Sequence, residues 1–181
     1  MVESTTSASV KSRRDDRSII DHLMSEENMA NTYSQLNIHC VFAVKGRESI
    51  ITTDFRDDLH QYMAGILRND GAYPLAVGGW KDHVHAFFEL PVTMAVSDQM
   101  RMLKATSSKW INDNKLVRGK FRWQEGYGAF SYSRSQRDRV IRSIMRQETH
   151  HRKSTFRDEY LDLLNKYEIP YDEKYLFEFH E

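Results

Sequence analysis

Two histidines set the first chemical question. His83 and His85 stand two residues apart in His83-Val-His-Ala-Phe-Phe-Glu-Leu90. Val84, Ala86, Phe88 and Leu90 alternate with His83, His85, Phe87 and Glu89, which is the period of a strand with one apolar face. Both imidazoles therefore leave the same side, opposite the apolar residues, and a pair so placed can ligate one divalent metal ion. With eight histidines in the chain the spacing alone is a weak signal. A third ligand is available further on. Ser143, Gln147 and His151 recur every four residues and share one stripe of an expected helix, with Arg139 one turn earlier. Val140, Ile141, Ile144 and Met145 occupy another face of that helix, so the polar stripe is exposed or lines a site.

The elements that must position these groups follow from periodicity. Leu36, Ile38, Cys40, Phe42 and Val44 alternate with Gln35, Asn37, His39, Val41 and Ala43 and predict a first strand. Phe55, Leu59, Tyr62, Met63, Ile66 and Leu67 predict a helix that Asn69-Asp70-Gly71 stops. A strand follows over 73–77, ended by Gly78-Gly79, and the histidine strand over 83–90, ended by Pro91. Ser97 is the expected N-cap of a second helix with Met100, Leu103, Ser107, Trp110 and Ile111 inward. A fourth strand lies near 129–133. Ser135 with Asp138, and Thr155 with Asp158, read as capping boxes of two further helices. The order β-α-β-β-α-β is that of an α+β fold, a ferredoxin-like split βαβ antiparallel sheet with two helices on one face. The other face is expected to stay open for binding.

The chain has 181 residues, enough for one domain with a substantial core. Its composition, 40% hydrophobic and 29% charged, excludes collagen-like and mostly disordered classes. Cys40 is the single cysteine, so an internal disulfide and a cysteine-rich zinc site are excluded. No apolar run approaches the roughly 18 residues of a membrane span, and no signal-peptide core is seen, so a cytoplasmic location and no membrane partner are expected. Residues 1–28 are polar and read as a mobile N-terminal extension, with a short helix near Ile19 to Met24. Residues 29–153 are expected to form the main domain, and 154–181 a C-terminal helix with an acidic tail.

Formal net charge is zero, yet unevenly spread. Arg101, Lys104, Lys109, Lys115, Arg118, Lys120 and Arg122 face only Asp113 between residues 99 and 122. Such a basic stretch suits phosphates, although a solvated helix face has the same composition. Trp123, Tyr127 and Phe130 could stack on unpaired bases, Phe130 being better suited to the core.

Taken together these residues resemble the single-tyrosine HUH transposases of the insertion-sequence 200/605 type, with REP-associated tyrosine transposases as relatives. The resemblance rests on Asn31 to Lys45, on Asp82-His-Val-His85 with Ala-Phe-Phe-Glu89, on Lys104-Ala-Thr-Ser-Ser-Lys-Trp-Ile111 and on Phe121 to Tyr132. It implies a dimeric HUH transposase fold with an added catalytic-type helix. It also implies attack by a helix tyrosine on single-stranded DNA beside a hairpin at the end of a mobile element, leaving a 5′-phosphotyrosine. A divalent metal, Mg or Mn, would polarise the phosphate. The ligands carried over are His83, His85 and Gln147. Arg101, Lys104, Lys109, Arg118, Lys120, Arg122 and Trp123 are the expected DNA contacts.

The chain departs from that pattern at one position. The family motif is Tyr-x-x-x-Gln, and here Arg142-Ser143-Ile-Met-Arg-Gln147 places Ser143 where the tyrosine belongs. A serine hydroxyl is far less acidic than a phenol of pKa about 10 and is shorter by a ring. Three explanations are ranked in this order: cleavage is lost while DNA binding is kept; Tyr132 or Tyr127 acts instead; or metal-bound water hydrolyses. A non-cleaving DNA-binding regulator is the alternative function, and a metal-dependent phosphoesterase stands last because nearby acidic ligands are lacking in sequence.

Overall fold

The alternating segments form a four-stranded antiparallel sheet in the computed structural model, which describes residues 33–47, 49–150, 155–172 and 176. The expected extension 1–28, its short helix and His151 lie outside the described residues. The strands are β1 (Asn37–Ala43), β2 (Tyr73–Gly79), β3 (His83–Glu89) and β4 (Gly128–Tyr132), in spatial order β2-β3-β1-β4. The two strands of strongest apolar alternation, β1 and β3, are the inner pair, where both faces need burial. Their register sets Val41 opposite His85 and His39 opposite Phe87.

Helices α1 (Thr53–Asn69) and α2 (Val96–Asp113) pack on one face, as the split βαβ order predicts. Cys40, Phe42, Val84, Ala86 and Phe88 of the sheet meet Leu59, Met63, Leu67, Met100, Leu103 and Ile111 there. Asp70 caps α1 and Gly71, at φ 83°, turns the chain out of it, a conformation that costs glycine nothing. Helix α2 begins two residues before the expected point, with Ala95 rather than Ser97 at the N-cap. Strand β2 runs on through Gly78-Gly79 instead of ending at Val77. Gly79 is required there: a Cβ would lie 2.2 Å from the His83 carbonyl oxygen across the tight turn into β3.

The second face differs from the expectation of an open surface. Helices α3 (Arg137–Met145) and α5 (Phe156–Lys166) cover it, with a single turn, α4 (Gln147–His150), between them. Val41, Ala43, Phe87, Phe130 and Tyr132 of the sheet meet Val140, Ile144, Phe156, Tyr160 and Leu164 in a second core. Residues beyond β4 carry enough apolar stripe to close a third layer, so the sheet lies between two helical layers and His83 and His85 are fully buried.

Capping accounts for the entry angles of these helices. The box before α3 is formed by Ser133 and Gln136 around the 3-10 turn Arg134–Gln136, not by Ser135 and Asp138. The Thr155 and Asp158 box forms as expected, with Asp158 N–H donating to Thr155 Oγ1 at 3.2 Å and Thr155 N–H to Asp158 Oδ2 at 3.2 Å. The helix expected to run from Ser143 through Gln147 breaks at Arg146, whose φ and ψ are −107° and 18° and whose N–H donates to the Ser143 carbonyl. Ser143 and Gln147 thus lie on separate elements. Gln147 turns inward and is buried, whereas Ser143 is exposed.

Candidate metal centre

Strand β3 delivers His83 and His85 to the α3/α5 side of the sheet, and each ring is held by a neighbour. His83 Nδ1 lies 2.7 Å from Asp82 Oδ1, and the His83 ring stacks on Phe156 with centroids 4.1 Å apart. His85 Nδ1 lies 2.9 Å from His39 Nε2. Histidine rings that ligate metals are commonly oriented through their other nitrogen in this way. Burial is the main cause that pushes the His39 imidazole down to about 4, with the Glu159 carboxylate opposing it and Lys166 adding to it. His39 is thus neutral at neutral pH.

On the far side of the ring, His83 Nε2 faces Gln147 Oε1, 3.4 Å away. The orientation of that amide is set from its other end, because Gln147 Nε2 donates to Glu159 Oε1 at 2.8 Å. His85 Nε2 in turn lies 3.7 Å from Glu159 Oε1. One ligand atom from each of His83, His85 and Glu159 lies within 4.8 Å of the other two. Two imidazoles, a carboxylate and an amide carbonyl form a donor set that fits a divalent metal.

Glu159 was not singled out from the sequence. A signal exists: Phe156, Tyr160 and Leu164 form the buried stripe of α5, and Glu159, three residues after Phe156, sits on its margin. What periodicity could not supply was the packing of α5 across the histidine strand.

Beside the histidines a cavity of about 270 Å³ opens between α3 and α5. His39, His85, Tyr132, Arg139, Ser143 and Glu159 are among its lining residues, and Lys166 joins Arg139 as a second cation there. Tyr132 is buried, with its ring 5.9 Å from that of His39. Tyr127 instead lines a separate cavity of about 450 Å³ beside α2.

The expected DNA contacts fall into three groups. Arg118, Lys120 and Arg122 are exposed. Arg101 and Lys109 are exposed but each pairs with an acid of its own helix, Asp98 and Asp113. Lys104 and Trp123 serve the fold. Lys104 Nζ donates to the carbonyls of Gln124 and Gly126, each at 2.7 Å. The Trp123 ring is 7% exposed, lies edge-on to Phe42 and Phe121, and donates from Nε1 to Ser107 Oγ at 3.0 Å. The ring is thus mostly enclosed by the core, and what remains borders the same cavity as Arg101, Lys104, Arg122 and Tyr127.

Among the described residues no helix is long and apolar enough to cross a membrane. A sequence profile of the family described as "Transposase IS200 like" matches residues 32–147. The fold is similar to a crystal structure from Deinococcus radiodurans R1 assigned as a candidate transposase, at 20% identity and a TM-score of 0.53, over 65% of this chain and 94% of that one. It is also similar to a REP-associated tyrosine transposase bound to a REP hairpin, at 14% identity and a TM-score of 0.51, over 68% of this chain and 73% of that one. No curated protein sequence matches significantly.

Proposed function

This chain belongs to the IS200-like transposase family, and from that premise we propose that it binds hairpin-bearing single-stranded DNA and a divalent metal, Mg or Mn, with Ser143 at the position of the attacking residue and strand cleavage lost. The observation that carries this reading is that Ser143 lines the same cavity as His85 and Glu159. A side chain in that place borders the metal ligands, where an attacking group would have to stand.

The chemistry follows from what each residue can do. His83, His85 and Gln147 would hold the metal, which when bound supplies Lewis-acid polarisation of a phosphate. Arg139 and Lys166 line the cavity and favour a phosphate there. Attack on phosphorus needs an oxygen nucleophile that ionises readily and reaches the phosphate. The Ser143 hydroxyl does neither as well as a phenol, so DNA is retained and not cut. Exposed Arg118, Lys120 and Arg122 would hold the backbone of the hairpin. The hairpin as ligand is supported by the structural neighbour that was solved with one. A homodimer is proposed on the family resemblance.

A denaturing gel with labelled hairpin-bearing single-stranded DNA and Mn tests the reading. Ser143→Tyr is expected to form a covalent adduct, the unaltered chain none, and Ser143→Tyr with His83→Ala none. An adduct on the unaltered chain would overturn the proposal and point to Tyr132, the tyrosine that lines the cavity. Failure of the unaltered chain to bind the hairpin would overturn it as well.

A further inference from the structure

We propose that Glu159, on α5, is a direct metal ligand of this chain, and that Gln147 positions its carboxylate as well as offering its own carbonyl. The inference rests on the metal-binding reading above and extends it to a residue beyond the 32–147 span that the family profile covers.

Three observations carry it. First, Glu159 belongs to the one group of three or more histidine, cysteine or carboxylate side chains, among the described residues, that could hold a metal ion, its donor atoms mutually within 4.8 Å. Second, its carboxylate is largely buried, with 12% of the side chain exposed, beside two imidazoles that are fully buried. Attraction between a carboxylate and a cation is stronger away from bulk water, so a divalent ion at the point where the donors of Glu159, His83 and His85 converge would be held firmly there. Third, Gln147 Nε2 binds Glu159 Oε1 at 2.8 Å while its Oε1 faces His83 Nε2 at 3.4 Å. One amide thus ties the carboxylate to the imidazole and leaves its carbonyl pointing at the same space.

The ligand class is a hard to borderline divalent ion. A carboxylate beside two imidazoles and an amide oxygen favours Mn or Mg more than a site of nitrogen donors alone. Asp162 lines the same cavity without belonging to the cluster, which makes it the natural comparison.

The test is Mn(II) binding to the full chain, followed by electron paramagnetic resonance and calorimetry in the absence of DNA. Glu159→Gln keeps the shape and removes the charge; Glu159→Ala removes the donor. Both are expected to weaken Mn binding by tenfold or more, with Asp162→Asn unchanged and Gln147→Ala intermediate. Circular dichroism and thermal unfolding without metal identify any variant that fails to fold, and Glu159→Gln is the variant most certain to keep the packing. If His83→Ala loses Mn while folded Glu159→Gln binds as tightly as the unaltered chain, Glu159 is not a ligand and this inference falls alone. If His83→Ala also binds unchanged, the metal-site reading beneath it falls too.

Discussion

Asp82 and His83 are adjacent in sequence, and their side chains meet: Asp82 Oδ1 lies 2.7 Å from His83 Nδ1. Asp82 sits in the turn before β3, where its carbonyl accepts from Val44 N–H at 2.8 Å, so the carboxylate is anchored by its own backbone. The contact fixes which nitrogen of His83 faces the cluster. Asp82→Asn should therefore weaken Mn binding, on the order of tenfold to a hundredfold as for other partners of ligating histidines, with little change in fold. Mn titration of the variant decides it, and unchanged affinity would show that the ring is oriented by packing on Phe156 alone.

The basic residues separate into those that hold the fold and those that can hold DNA. Lys104→Met leaves two carbonyls of the 124–126 loop without their donor and should cost about 1–3 kcal/mol of stability, read by urea unfolding. Lys120→Ala should leave stability unchanged, weaken hairpin binding at low salt and reduce the slope of log affinity against log salt by about 1. If Lys104→Met unfolds at the same urea concentration as the parent, the assignment of Lys104 to the fold is wrong.

His60 on α1 predicts an acid limit. Burial chiefly, then Arg56 and, after the opposing effect of Asp57, His83, push its imidazole from 6.5 down to about 4. Between those values the unfolded chain binds the proton and the folded chain does not, so this contribution to stability is complete above pH 6.5 and is lost as pH falls toward 4. Its size is at most roughly 3 kcal/mol. His60→Gln should flatten the decline of the urea midpoint between pH 7 and 4.5. Curves for variant and parent that fall in parallel would remove His60 as a cause.

Much of the fold was legible because its determinants are local. The alternation in β1 and β3, the helical stripes of α1 and α2 and the Thr155 box each lie within one element, and each appears in the structure. What was not legible depends on how elements meet. That His39 reaches His85 follows from the β1–β3 register, which no single strand specifies. The break at Arg146 separates Ser143 from Gln147, whereas an uninterrupted pattern of four-residue spacing reads as one helix. Residue type suggests nucleic-acid contact for Trp123 and Lys104, but it does not reveal that the ring also bonds Ser107 and the ammonium two carbonyls of the 124–126 loop. The β3 side expected to be open was instead closed by α3 and α5, whose apolar stripes were visible but whose docking site was not.

That closure puts polar side chains where the fold alone does not call for them. His39, His83, His85 and Gln147 are buried beside the second apolar core, where valine or phenylalanine would give up no hydration to be there. A chain shaped by foldability alone would drift toward such residues, and a variant with His39 and His85 both made apolar, at matched volume, would be expected to outlast the parent on heating. The polar cluster is thus a standing concession of robustness, and it marks the part of the molecule that selection for folding would erase first once activity ceased to matter.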